Sequence, residues 1–590
     1  MNFSVACSLM NRTLISAAII LTGFTGFSQN LRTDGQRIIN DKNENVILRG
    51  MGLGGWMLQE GYMMKVNGEG QQHRIRQRIE DVVGKEKTAA FYNAWLDNHL
   101  RRIDIDSLKA WGFNSVRLPM HYELYTLAVD KEPVPGQQTW VAKGFEMTDS
   151  LLSWCKANQM YLILDLHAAP NGQGNDLNIS DRDPSKPSLW ESKAAQAKTI
   201  ALWRKLAERY ANEPWIGAYD VLNEPNWGFT DPVNDRNGTK EKNNAPVGQL
   251  QQEITAAIRE VDQKHIVIIE GNGWGNNYSG INPVWDKNMV LSFHKYWNYN
   301  DTASISHIIR LRNKYNMPAW LGETGENSNG WFTDAIHLFE SNNIGWAWWP
   351  LKKIGINNPM EIRSNPGYDS LISYINKRPG RSKPPADVTA IGLMELANNA
   401  RLENTVIHRD VIDAMMRQPY TNASIPFKVV VLTNSVVIRA ADYDLGRNRY
   451  AYYDLDSGNF RTSGVNSAGN RGREYRNDGV DIRKDPDQKG EYVVTDIEDG
   501  EWLQYTVEVK NAGKYRFVLE TASVSDSGRV KISNFSKGIE TSEIIVEKTG
   551  NDKTFTPTKP VTLTLDKGTQ VIRIRALRGG FVLRSMKISQ

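Results

Sequence analysis

The chain has 590 residues, 40% apolar and 23% charged, with 71 basic against 67 acidic side chains and a formal net charge of +4. That length is room for two to four domains with ordinary cores, and the near balance of charge excludes nucleic acid as the main partner, because phosphate binding needs a strong local excess of Lys and Arg. The 18 Trp are the compositional excess; a flat apolar face with one donor suits a sugar ring as well as it suits a core.

At the N-terminus Arg12 precedes the apolar run 14–21, and small residues follow up to Gly26-Phe27-Ser28. The run is too short to span a bilayer, so residues 1–28 read as a secretory signal and no membrane span is expected. The mature chain is then extracellular, periplasmic or held at the cell surface. The only cysteines are Cys7 and Cys155. Cys7 leaves with the signal, so no internal disulfide forms, and no Cys/His cluster has zinc spacing. No metal site is assigned, and the chain is expected to be a monomer.

From Val46 to Pro350 short β-rich runs alternate with helical stripes. The runs are 46–50, 113–118, 161–166, 217–222, 265–269, 289–293, 318–322 and 344–349. Several are continuously apolar, as parallel strands covered on both faces require. Ile200, Trp203, Leu206 and Tyr210 form one of the helical stripes between them. Eight such alternations predict an α/β fold, a (β/α)8 TIM barrel over residues 30–420. The Gly- and Asn-rich stretch 271–287 shows no helix, which leaves an open doubly wound sheet as the alternative. A helical stretch over 386–417 is expected to close the barrel as its last helix. From Ile425 to Gln590 the pattern changes to short alternating strands and turns, which predicts an all-β, jelly-roll-like sandwich.

Barrel enzymes carry their chemistry where strands end. Here the runs end at Arg117, His167, Asn223-Glu224, His294 with Tyr296 beyond it, Glu323, and Trp348-Trp349. Two Glu on opposite sides of one rim match the two carboxyls that glycoside hydrolysis needs, one protonated and one ionised. Arg117 can hold Glu323 ionised, His294 and Tyr296 can orient carboxylates, and Asn223 can bond a sugar 2-hydroxyl. Each residue also has a bland reading, as a solvated loop carboxylate, a structural histidine or a local ion pair.

The strings 114–119 (Asn-Ser-Val-Arg-Leu-Pro), 165–173, Asn223-Glu224-Pro225, His294-Lys295-Tyr296 and Gly322-Glu323, in order over residues 30–375, resemble glycoside hydrolase family 5, the cellulase-type retaining enzymes. The resemblance implies Glu224 as acid/base and Glu323 as nucleophile. It also implies Arg117, His167, Asn223, His294, Tyr296 and a Trp of the eighth strand as substrate-binding residues. That Trp is placed at Trp348, with Trp349 as its rival. The opening Gly52-Leu53-Gly54-Gly55-Trp56 followed by Glu60 is similar to the family's β-glucanase branches. It favours a β-glucan, without separating linkages or endo from exo action. β-Mannan, xyloglucan and exo-acting β-1,3-glucan cleavage remain as alternatives, as does a polysaccharide-binding protein without activity.

The C-terminal region is similar to a family 6 carbohydrate-binding module at 475–481, 499–507 and 513–515. The resemblance implies polysaccharide as partner, with Tyr475 as the loop aromatic and Phe555 at the partner position. Relatives hold a structural calcium with Glu side chains in the string that here reads Ile438-Arg439-Ala440-Ala441-Asp442, which puts calcium in doubt. No other cofactor is expected.

Overall fold

The computed structural model describes residues 30–380, 382–460, 468–525 and 528–590. The expected signal, 1–28, and Cys7 lie outside them. Eight strands close into a ring: β1 (Arg49–Gly52), β2 (Ser115–His121), β3 (Tyr161–Ala168), β4 (Ile216–Asp220), β5 (Ile266–Ile269), β6 (Met289–Lys295), β7 (Ala319–Gly325) and β8 (Gly345–Trp349). Every neighbouring pair is parallel, and β8 pairs with β1 through Trp346↔Arg49 and Trp348↔Met51. Closure between first and last strands rules out the open doubly wound sheet.

β2 and β3 are buried at every position, which is why their residues are mainly apolar on both faces, with Arg117, Asp165 and His167 among the ionisable groups and carried inward to the site. Alternate side chains divide between two cores. Ile163, Ala218, Ile266, Ile268, Val290, Trp320 and Ala347 fill the barrel interior. Leu31 and Ile38, on and beside the hairpin Arg32–Asp34/Arg37–Ile39, pack onto that interior cluster. Val116, Leu118, Leu162, Leu164, Tyr219 and Val267 face the helical shell. The helices Lys193–Tyr210, Asn329–Ser341 and Pro366–Ile375 start where Ser192, Ser328 and Asn365 accept a backbone N–H of the first turn.

Between β5 and β6 there is only a short turn, Asn272–Gly275, in which Gly273 and Trp274 both have left-handed dihedrals. The expected single helix over 386–417 is two, Ala386–Asn399 and Arg409–Met416, with the strand Val406–Ile407 between them. The first packs on Lys85–His99 and the second on Asn329–Ser341. A polar Asn398-Asn399 end and the turn 402–404 interrupt the periodicity that a continuous stripe would need.

Beyond residue 425 the chain forms two β-sheets, one centred on Trp502–Val509 and Gly568–Arg578, the other on Gly513–Ala522 and Val582–Ser589. Their inner faces share one core that includes Tyr505, Val507, Phe517, Leu519, Ile572, Ile574, Met586 and Ile588. No helix among the described residues is long and apolar enough to cross a membrane.

Candidate active site

The C-terminal ends of the barrel strands surround a cleft of about 920 Å³ lined by Glu60, Tyr62, His167, Glu224, Trp274, His294, Tyr296, Trp297, Glu323, Glu326 and Trp349, among others. Beneath its floor lies Arg117 of β2, fully buried. Its guanidinium donates to Asp220 (2.9 Å), Glu323 (2.5 Å) and the Asn223 side-chain oxygen (2.8 Å), and lies 3.2 Å from Asp165 and 3.3 Å from Glu270. Groups from β3, β4, β5 and β7 or the residues just after them thus converge on one cation, which fixes the rim from below.

Glu224 follows β4 in a left-handed conformation, φ 43°. That backbone is costly for a residue with a Cβ and persists only where neighbours hold it. Here the Glu270 carboxylate accepts the Glu224 N–H at 2.7 Å, and the Asn226 side chain donates to the Glu224 carbonyl at 2.8 Å. Gln173 ties the same corner to β3 by donating to the carbonyls of His167 and Asn223 at 2.7 and 2.8 Å. The Glu224 carboxyl meets His294 Nδ1 at 2.6 Å. Glu323, near the end of β7, accepts from Arg117 on one oxygen and from the Tyr296 hydroxyl on the other, at 3.1 Å. A carboxylate oxygen of Glu224 and one of Glu323 lie within 4.8 Å of each other, with His294 between them.

The two carboxyls are buried alike but held differently. Burial pushes Glu224 up to about 7, against the pull of His294 and with a further push from Glu323 and Glu270. Burial also raises Glu323, but His294, Arg117 and His167 outweigh it and hold its carboxyl below the usual range. His167 is lifted to about 10: burial opposes its charge, and Asp165, bonded to Nδ1 at 2.8 Å, more than compensates. His294 is also raised, by Glu270, Glu323 and Glu224 against burial. One group ready to donate a proton thus faces one held as an anion. The same side chains form the groups Asp165–His167–Glu323 and Glu224–His294–Glu323, whose donor atoms are close enough to hold a metal ion. Arg117 already contacts Asp165 and Glu323 there, so a further cation would face a guanidinium at short range.

Arg117, His167, Asn223, Glu224, His294, Tyr296 and Glu323 are brought to one place. Asn223 lies under the cleft, fully buried, with its side-chain amide 3.3 Å from His167 Nε2. Trp348 is the exception. It is fully buried between the sheet and helix Asn329–Ser341, with Phe332 at 4.9 Å and Trp331 at 6.3 Å between ring centroids. Trp349, its neighbour on the opposite face of β8, lines the cleft. It stacks on His167 (5.0 Å, 10°) and donates through Nε1 to the Tyr62 hydroxyl at 2.9 Å. Asp165, Asp220, Glu270 and Glu326 also belong to the site without having been assigned to it from sequence, and Glu60, noted there only as part of the opening motif, lines the cleft. Asp165 and Asp220 stand at strand ends within or beside the motif strings, and an acid facing an interior Arg was the available signal. Burial pushes Glu60 up to about 7 beside His167.

On the sandwich, Tyr475 and Phe555 have different neighbours. Tyr475 stacks on Tyr492 (4.5 Å, 24°), meets Phe427 edge-on and donates its hydroxyl to Asp442. Phe555 is covered by the Arg584 guanidinium at 3.7 Å. Arg439 pairs with Asp442 and Glu491. A separate cavity of about 460 Å³ lies among Trp502, Phe535, Arg449, Arg573 and Arg575. Arg573 sits over the rings of Trp502 and Phe535, at 3.8 and 3.3 Å from their centroids.

Residues 80–354 match the family described as cellulase (glycosyl hydrolase family 5), a span that contains every barrel residue named in the cleft except Glu60 and Tyr62. Residues 473–590 match the carbohydrate binding module of family 6. A beta-xylosidase of Phanerodontia chrysosporium is 28% identical over 378 residues, 58% of this chain and 74% of that protein. Endoglucanase C of Acetivibrio thermocellus is 27% identical over 350 residues, 49% of this chain and 94% of the other. A probable glucan 1,3-beta-glucosidase A of Aspergillus clavatus is 29% identical over 225 residues, 37% of this chain and 51% of the other.

Proposed function

This chain is an O-glycosyl hydrolase built from a family 5 domain and a family 6 carbohydrate binding module, and we propose that it cleaves β-glucosidic linkages in a polysaccharide with retention of configuration. Glu224 is the acid/base and Glu323 the nucleophile. The observation that carries this reading is the short gap between the two carboxyls, within 4.8 Å oxygen to oxygen. Retaining enzymes hold their carboxyls about 5–5.5 Å apart, and inverting ones leave roughly 6.5–9.5 Å for a water.

In the first step the Glu224 carboxyl gives its proton to the glycosidic oxygen while a Glu323 oxygen attacks the anomeric carbon. The carbon–oxygen bond to the leaving sugar breaks and an ester to Glu323 forms. In the second step Glu224, now ionised, takes a proton from water, whose oxygen attacks the same carbon and frees Glu323. Arg117 and Tyr296 hold the nucleophile, His294 spans both carboxyls, and Trp349 offers its face to the sugar. Asn223 takes no part in bond making: buried under the cleft, it accepts from Arg117 and sets its amide against His167, bracing the rim from below.

β-Glucan is favoured by the opening Gly52–Trp56 and by the relatives named endoglucanase and glucan 1,3-beta-glucosidase. The relative named beta-xylosidase makes xylan the second reading. The family 6 module implies binding to polysaccharide, which would raise the local concentration of bonds to cleave. Export follows from the leader-like residues 1–28 and a polymeric substrate.

The test is Glu323→Ala assayed on defined β-glucans, xylans, mannans and xyloglucan with product sizing. Turnover should fall by on the order of 10⁴-fold, and azide should restore part of it by attacking from the vacated face. Turnover near the parent level, or a wild-type product first released with inverted configuration, would overturn the covalent route.

A further inference from the structure

The loop after β7, residues 326–329, is shared between the barrel and the sandwich. Glu326 lines the cleft. Asn327, Ser328 and Asn329, next along the chain, are buried and bonded to the sandwich. The Asn327 side-chain oxygen accepts the Phe460 N–H at 2.9 Å, and its carbonyl accepts from the Asn477 side chain at 2.8 Å. The Ser328 hydroxyl donates to Asn459. The Asn329 N–H donates to the Asn477 carbonyl at 2.7 Å. One oxygen of buried Asp410 accepts from both the Asn329 side chain and the Asn477 N–H, at 2.7 and 2.8 Å. A seam with this many buried polar groups satisfied across it is fixed, because separating it would strand them.

That seam brings Phe460 against a residue of the cleft wall. Its ring meets Trp297 at 5.7 Å and 62°. Trp297 lines the cleft, is 40% exposed and has φ 56°, a backbone that a bulky residue keeps only when its surroundings hold it. Trp297 also meets Tyr296, at 5.7 Å, whose hydroxyl donates to Glu323.

We infer that the sandwich module backs the wall of the catalytic cleft, with Phe460 a positioning residue that sets Trp297 as a stacking platform for a sugar beyond the cleaved bond. The inference rests on the cleft being the site of hydrolysis. It differs from tethering, because it acts on short soluble substrates that gain nothing from being held to a polymer.

The experiment uses the full chain and soluble β-linked oligosaccharides of the class the parent cleaves. Phe460→Ala should raise KM about threefold to tenfold, the range expected for loss of one aromatic contact, with kcat little changed. Phe460→Tyr should restore the parent KM. Combined with Trp297→Ala, Phe460→Ala should add nothing further. A folded Phe460→Ala chain with parental KM, or an undiminished extra loss in the Trp297→Ala background, overturns the inference. Should the alanine chain fail to fold, Phe460→Leu carries the same comparison. Failure of the hydrolytic reading would show instead as a Glu323→Ala chain that still turns over these oligosaccharides.

Discussion

Glu224 and Glu323 are the same amino acid, equally buried, and the difference between them lies in their neighbours. Glu323 has Arg117 in contact and His167 nearby; Glu224 has His294 as its cationic neighbour, with Glu270 opposing it. For turnover Glu224 must be protonated, so activity falls as pH rises through about 7. Glu323 must be ionised, so activity is lost on the acid side only once pH drops below the ordinary carboxylate range, in the direction of its shift. The two apparent values belong to the pair. His294 lowers both carboxyls, so His294→Asn should move both limbs of the kcat/KM profile to higher pH. A profile with neither limb displaced would mean that His294 does not act through charge.

The end of strand β1 is shaped to the end of β8. A Cβ on Gly52 would stand 2.5 Å from Trp349 Cε3 and 3.2 Å from the Trp348 carbonyl oxygen. The indole can lie across the strand end only because no side chain is there. Gly52→Ala should push Trp349 off His167 and lower kcat/KM about tenfold or more, in line with the ~1–3 kcal/mol that overpacking costs. Steady-state kinetics that match the parent would show that the indole has room to adjust. The strand order and the polar groups at strand ends were legible because parallel strands leave continuous apolar runs and because the rim residues fall in motif strings. The choice between Trp348 and Trp349 was not. A period of two puts them on opposite faces, but only the pairing of β8 with both β1 and β7 says which face looks into the barrel. The helical stretch 386–417 failed for a related reason: its apolar residues serve two different helices with different partners.

Barrel and sandwich meet at a seam that couples the stability of the full chain to the site. Asn477→Ala removes the amide that bonds the Asn327 carbonyl and lies 3.2 Å from the Asn329 side-chain oxygen. Leaving those buried acceptors unpaired should cost about 1–3 kcal/mol, read by denaturant titration of the full chain. An unchanged midpoint and slope would mean that water replaces the amide at no cost.

Local periodicity and short strings were enough to predict eight alternating β and helical segments, the all-β region after them and most of the polar groups at the strand ends, while ring closure itself is a tertiary fact. Three features came from long-range packing instead: which Trp faces the cleft, the prop that Glu270 gives to Glu224 in its left-handed turn, and the reach of Asn477 and Phe460 to the loop after β7. Those contacts join residues far apart in the chain, and no local pattern encodes the register that brings them together.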